Sequence, residues 1–285
     1  MHLAVCLALV LGVEPAPQPV SLDQSSPIGR AFGRLYSFDF QGAHDILDAR
    51  IEVTPDDPLP HAVKAAAYLF SELDRLKILQ MDFFMDDDRV VDRRRLKPDP
   101  RTRETFFKEV EQSKQRALRV LAARPNDPNA LFAICMATGL VTDYAALVER
   151  RRFGSFSLAK QNHVWVRKLL GLQPPVYDGY LTLGTAEYVV SRIPFFLRWF
   201  VRLDKVEGNR RKAVENLELV AAKGRYYGPF ARVLLSVIHL RDRRPQEAER
   251  LLAGLAAEFP DNPLIRRELQ RAGEQVRRVS AAPGR

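Results

Sequence analysis

Five histidines, two cysteines and one acidic run are the residues with which this chain could do chemistry. His2, His44, His61, His163 and His239 lack the spacing of a helical zinc protease or a zinc finger. Each reads as a hydrogen-bonded packing residue, and a hydrolytic role would require His163 or His239 to meet a carboxylate through the fold. With only Cys6 and Cys135 there is neither a disulfide framework nor a cysteine zinc site. Cys135 lies in the apolar run Ala133-Ile134-Cys135-Met136-Ala137 and reads as a buried, inert thiol rather than a nucleophile. Asp82, Asp86, Asp87, Asp88 and Asp92 could supply the oxygen ligands that Ca²⁺ or Mg²⁺ requires. The EF-hand spacing and its glycine are missing, however, and Arg89 and Arg93 to Arg95 stand alongside, so a solvated linker is the better reading. Gly29-Arg30-Ala31-Phe32-Gly33 lacks the Lys and Ser/Thr of a phosphate-binding loop. No catalytic, metal-binding or cofactor-binding set is expected.

Binding is better represented than chemistry. In Ile193 to Leu203, the side chains of Phe195, Phe196, Trp199, Phe200 and Leu203 would share one helical face, with Arg198 and Arg202 off it. Such a helix could press onto anionic lipid, anchor a partner, or simply be buried between its neighbours, and burial is the favoured reading. Tyr177, Tyr180 and Tyr188 add aromatic surface nearby. Together with Arg192, Arg198 and Trp199 they are the expected lining of a groove for a protein or peptide partner.

The elements that would position these residues are helices. Prolines fall in clusters, and three clusters share a form: Thr54-Pro55-Asp56-Asp57-Pro58, Arg124-Pro125-Asn126-Asp127-Pro128 and Phe259-Pro260-Asp261-Asn262-Pro263. In each, the first Pro stops a helix, the Asp or Asn can accept from the free amides opening the next, and the second Pro suits a first helical position. The segments between them are amphipathic at helical period. Ala248, Leu251, Leu252, Leu255, Ala256 and Phe259 mark one such face, Phe107, Val110, Ala117 and Leu121 a second, and Phe230, Val233, Leu234 and Val237 a third. No segment requires a sheet.

The spacing also suggests repetition. Pro125 follows Pro55 by 70 residues and Pro260 follows Pro125 by 135, close to two and four units of about 34 residues. Small residues opening second helices, Ala43, Ala213 and Ala248, are separated by 170 and 35 residues. Asp39-Phe40-Gln41-Gly42-Ala43 followed by Pro55, and Ala248 followed by Pro260 at the same interval, resemble the tetratricopeptide-repeat family. Ser113 stands where that pattern would place an Ala before Pro125. The segment from Tyr177 to Leu269 is also similar to bacterial relatives of the Iml2 and tetratricopeptide-repeat-39 group. That similarity is carried by Tyr177-Asp178-Gly179-Tyr180, Leu183-Gly184, Tyr188, Ile193-Pro194, Arg198, Gly208-Asn209-Arg210 and Glu247-Ala248. The resemblance implies an all-α fold, an α-solenoid of antiparallel helix hairpins wound as a right-handed superhelix. It also implies a scaffolding role without a catalysed reaction.

The expected organisation is a probable-export segment and Pro-rich linker over 1–26, a helical repeat domain over 27–278 interrupted by an irregular insertion near 79–102, and a disordered tail over 279–285. Leu3 to Val13 is apolar, too short to span a bilayer, and followed by Pro15, Pro17 and Pro19, as in an export signal. No Lys or Arg precedes it, so a mis-assigned start or a frayed apolar end remains the alternative. With the signal, the protein is exported to the periplasm or envelope; without it, the protein is cytoplasmic. The net charge of +9 comes from 34 Arg and 10 Lys set among 35 acidic residues, a mixed surface that argues against nucleic acid as a partner. The function expected is a non-catalytic protein-binding adaptor, with peripheral membrane association as the alternative and an unrecognised hydrolase as a remote one.

Overall fold

The computed structural model describes residues 22–79, 97–150, 152–192 and 206–281. These form eleven α-helices and no strand: α1 (Pro27–Tyr36), α2 (Phe40–Val53), α3 (Pro58–Arg75), α4 (Pro100–Ala123), α5 (Pro128–Asp143), α6 (Arg152–Leu170), α7 (Tyr180–Ser191), α8 (Arg210–Lys223), α9 (Gly228–Arg241), α10 (Pro245–Glu258) and α11 (Pro263–Ala281). A π-helical turn (Tyr144–Val148) extends α5, and a 3-10 turn (Tyr177–Gly179) precedes α7.

The proline clusters open helices as their chemistry dictates. The Asp57 carboxylate accepts from the Leu59 amide, Asp127 from Ala130 and Asn262 from both Leu264 and Ile265, each one residue before a Pro in the first helical position. Ser26 caps α1 in the same way, accepting from the Gly29 amide at 3.0 Å ahead of Pro27. A further junction of this kind falls inside the expected insertion. Asp99 accepts from the amide and hydroxyl of Thr102, so α4 begins at Pro100 and residues 100–102 are helical. At the other end α11 runs to Ala281 through Gly273, with no Pro before Pro283; residues 279–281 thus belong to the helix. The acidic run from Asp82 to Asp92 with its arginines, the aromatic segment 193–203 and residues 1–21 lie outside the described residues.

Consecutive helices pack on each other, and α1 also packs on α3 and α3 on α5. The close approaches use small side chains. Ala43, Ala213 and Ala248 are fully buried, and so is Ser113, which takes the same place in α4. Gly184 brings α7 against α8: a β-carbon there would stand 2.9 Å from Leu217 and 3.1 Å from the Ala213 carbonyl oxygen. Where the chain expects an apolar face it has one. In α10, Ala248, Leu252 and Leu255 are buried, each leucine contributing about 1.5–3 kcal/mol relative to exposure. The α9 helix is apolar on two sides. Ala231, Leu235 and Ile238 join Leu217 and Val220 of α8, while Phe230 and Val233 turn toward the middle of the molecule.

The first helix meets the turns that open α9 and α11. Tyr36, at the end of α1, donates its hydroxyl to the Tyr226 carbonyl at 2.9 Å, and its own backbone carbonyl accepts from the Asn262 side-chain Nδ2 at 2.7 Å. Phe32 stacks on Tyr226 with ring centroids 4.9 Å apart, and Phe132 of α5 stacks on the same tyrosine at 5.5 Å. The first helices, the turn before α9 and the turn before α11 therefore close around a common interior.

Candidate functional site

That interior holds a cavity of about 200 Å³. The odd-numbered helices supply most of its wall, represented by Phe32 of α1, Phe70 of α3, Phe132 of α5, Thr182 of α7, Phe230 of α9 and Ile265 of α11. The even-numbered helices contribute only a few residues, such as Phe40 and Leu252. The alternation follows from the packing: an inner helix buries one face on its outer partners and is left with a second apolar face toward the middle. Phe70 and Phe230 meet edge to face there at 5.8 Å, and Phe132 lies 5.4 Å from Tyr227.

Polar groups are few in this wall, and of its three acids all but one have partners among the described residues. Burial raises the Cys135 thiol far above its ordinary range, so it stays protonated and inert, as its apolar setting predicts. Burial likewise raises Tyr36 and Tyr227, which are neutral. Asp178 is driven upward by burial, but it accepts from the backbone amides of Arg225, Tyr226 and Tyr227 at 2.7–2.8 Å. It thereby fixes the turn that carries both tyrosines. Glu268 lies 3.2 Å from Arg267 and 3.3 Å from Arg271.

Asp143 is the exception. It ends α5 where the helix enters the π-helical turn, a rare geometry that is frequent at functional sites. Its side chain is exposed by surface area, yet it lines the cavity and is crowded by the surrounding protein, which pushes its carboxyl up to about 7. Among the described residues none donates a hydrogen bond to it or pairs with its charge. The sequence carried a signal for this residue: Asp143 is the one charged residue in Pro128–Val148, a stretch of mean hydropathy 1.8. By length and composition that stretch could cross a membrane, yet it is mostly buried between α3, α4 and α6, as a core helix is.

The expected groove residues fall elsewhere. Tyr177, Tyr180 and Tyr188 are half-buried along the seam between α7 and α8, away from the cavity wall. Tyr177 stacks on Tyr180 at 6.4 Å and lies under the Lys223 ammonium at 5.2 Å, while Tyr180 and Tyr188 pack against the Leu181–Leu217 cluster. Arg192 is exposed at the end of α7; Arg198 and Trp199 lie outside the described residues.

A histidine that the spacing did not single out meets a carboxylate. His61 of α3 lies 2.6 Å from Glu109 of α4, and Lys64 bridges Glu109 at 3.4 Å to Asp48 of α2 at 2.5 Å. Burial would raise the Glu109 carboxyl, but the hydrogen bond from His61 and the charge of Lys64 hold it below its ordinary value. This network joins three helices and stands outside the cavity wall. His163 and His239 are buried, and burial lowers the latter. No group of three or more His, Cys, Asp or Glu suited to a metal occurs among the described residues.

No known family, curated protein or solved structure matches this chain.

Proposed function

We propose that this chain is a non-catalytic binding protein of tetratricopeptide-like build, a helical superhelix that takes a small apolar ligand into its interior. The observation that carries the reading is the cavity of about 200 Å³ lined mainly by the odd-numbered helices. In a solenoid of helix pairs the first helix of each pair lines the inner face, and α1, α3, α5, α7, α9 and α11 take that role here. A cavity of about 150 Å³ with an apolar wall admits a benzene-sized molecule, so this one suits a single substituted ring. Binding rather than catalysis is supported by the placement of the His61–Glu109–Lys64–Asp48 network, which stands outside the cavity wall. The test is ligand-observed NMR with toluene on the parent and on Val233→Trp, which fills the interior from α9. Saturation transfer to toluene in the parent, lost in a variant of unchanged helical CD, supports the reading; equal transfer in both overturns it.

A protein-binding adaptor role is a second reading, favoured by the half-buried tyrosines Tyr177, Tyr180 and Tyr188 beside exposed Arg192 on one edge. Affinity capture with Tyr177→Ala and Arg192→Ala tests it, since a partner held at this edge is lost from folded variants. Export to the envelope and contact with a membrane surface remain proposals resting on residues 3–13 and 193–203.

A further inference from the structure

The chain as a whole is strongly basic, with a net charge of +9, yet the described wall of its cavity contains three acids and no Lys, Arg or His. That inversion is informative because two of the acids are already satisfied. Asp178 is held by three backbone amides and Glu268 by Arg267 and Arg271. Asp143 alone presents a carboxylate to the hollow with no partner among the described residues. The same wall carries Tyr36, Cys135 and Tyr227, all held neutral, and the aromatic rings of Phe32 and Phe132. Such a setting is unfavourable for a ligand carboxylate or phosphate, which would meet negative charge with no compensating base. It is favourable for a cation. An ammonium would form a charge-assisted hydrogen bond with Asp143, and the ring faces would attract the same positive charge.

We infer that the ligand of this cavity is a small arylalkyl amine, its ring packed among Phe32, Phe70, Phe132 and Phe230 and its ammonium paired with the Asp143 carboxylate. This rests on the reading of the cavity as a binding site and specifies the ligand's class. The volume sets the scale at one ring with a short chain. Specificity comes from the acid-only wall, because a neutral ring of equal size would leave Asp143 unpaired and an anionic one would be repelled.

Three probes of matched size and shape separate the possibilities: phenethylamine, propylbenzene and 3-phenylpropanoate, titrated calorimetrically into the full chain and into Asp143→Asn at pH 8. Asn keeps the size of the side chain and removes its charge, and CD confirms that the variant is folded. The expected result is that the parent binds phenethylamine at least about tenfold more tightly than propylbenzene and does not bind 3-phenylpropanoate. In Asp143→Asn the preference for the amine disappears while propylbenzene still binds. Equal affinity for phenethylamine and propylbenzene in the parent, or an amine preference that survives in Asp143→Asn, overturns the inference and leaves the binding cavity standing. Preference for 3-phenylpropanoate overturns it as well. Failure of all three probes to bind overturns both the inference and the cavity reading beneath it.

Discussion

The hydroxyl of Tyr36 donates to the carbonyl of Tyr226 across 190 residues of sequence, at 2.9 Å. Through this bond the first helix is fastened to the turn that opens α9, and the bond lies beside the stacked rings of Phe32 and Tyr226. A series of helices in which each touches only its neighbours could fray from either end. Here fraying of α1 must also break the aromatic stack and strip Tyr226 of its partner.

Tyr36→Phe isolates that fastening, since it keeps the ring against Phe259 and removes only the donor. Loss of the hydrogen bond and exposure of an unsatisfied carbonyl should cost about 1–3 kcal/mol in urea denaturation. Hydrogen exchange should show the amides of α1 opening faster than those of α5. Unchanged exchange in α1 would mean that the stack, not the hydrogen bond, closes the chain.

Asp178→Ala should be the more severe change. The carboxylate is 2% exposed and accepts from three consecutive amides, so its removal orphans the donors of Arg225, Tyr226 and Tyr227 together. A loss of about 3–5 kcal/mol is expected, together with weakened Tyr226 stacking visible as a reduced near-UV CD signal. A loss below about 1 kcal/mol would show that water replaces the carboxylate and that the turn is held by the rings.

Ser113→Ala tests the small-residue position in α4. The hydroxyl is fully buried and has no hydrogen-bond partner, so exchanging it for a methyl should leave stability unchanged or raise it by about 1 kcal/mol. Ser113→Leu at the same place should cost several kcal/mol by overpacking the helix contact, at least about 1–3. Equal stability of the Leu variant would show that α4 is free to move away from its neighbours.

Much of this architecture was legible because it is local. The Asp57-Pro58, Asp127-Pro128 and Asn262-Pro263 caps are determined by chemistry within four residues, and Ala248 to Phe259 shows its buried face through period alone. The Asp99-Pro100 cap obeys the same rule, but the charged run before it made the region read as an irregular connection. The cavity was not legible, since it depends on residues as distant as Phe32, Phe132 and Phe230 being turned to one interior by the closure of the chain. Tyr177, Tyr180 and Tyr188 drew attention by composition; their places along the α7–α8 seam follow from the packing of Gly184 on α8, which no count of aromatics reveals. Asp143 lay in plain view as a lone charge in an apolar helix, a pattern with the same meaning in a protein interior as in a membrane.

That lone charge should leave a mark on stability as a function of pH. Folded, the Asp143 carboxyl, exposed by surface area yet crowded by the surrounding protein, is pushed up to about 7, whereas in the unfolded chain it titrates near the ordinary value of 3.8. Below that ordinary value both states are protonated and the group contributes nothing. As pH rises from about 4 to about 7, the unfolded chain releases this proton and the folded protein retains it, so this group lowers stability progressively; above about 7 the penalty is complete. Asp143→Asn cannot ionise. The variant should therefore match the parent in urea denaturation near pH 4 and exceed it at pH 8, with the gap opening between those values and narrowing when an amine occupies the cavity. Parallel profiles for the two proteins would show that Asp143 is hydrated in the folded state as fully as in the unfolded one.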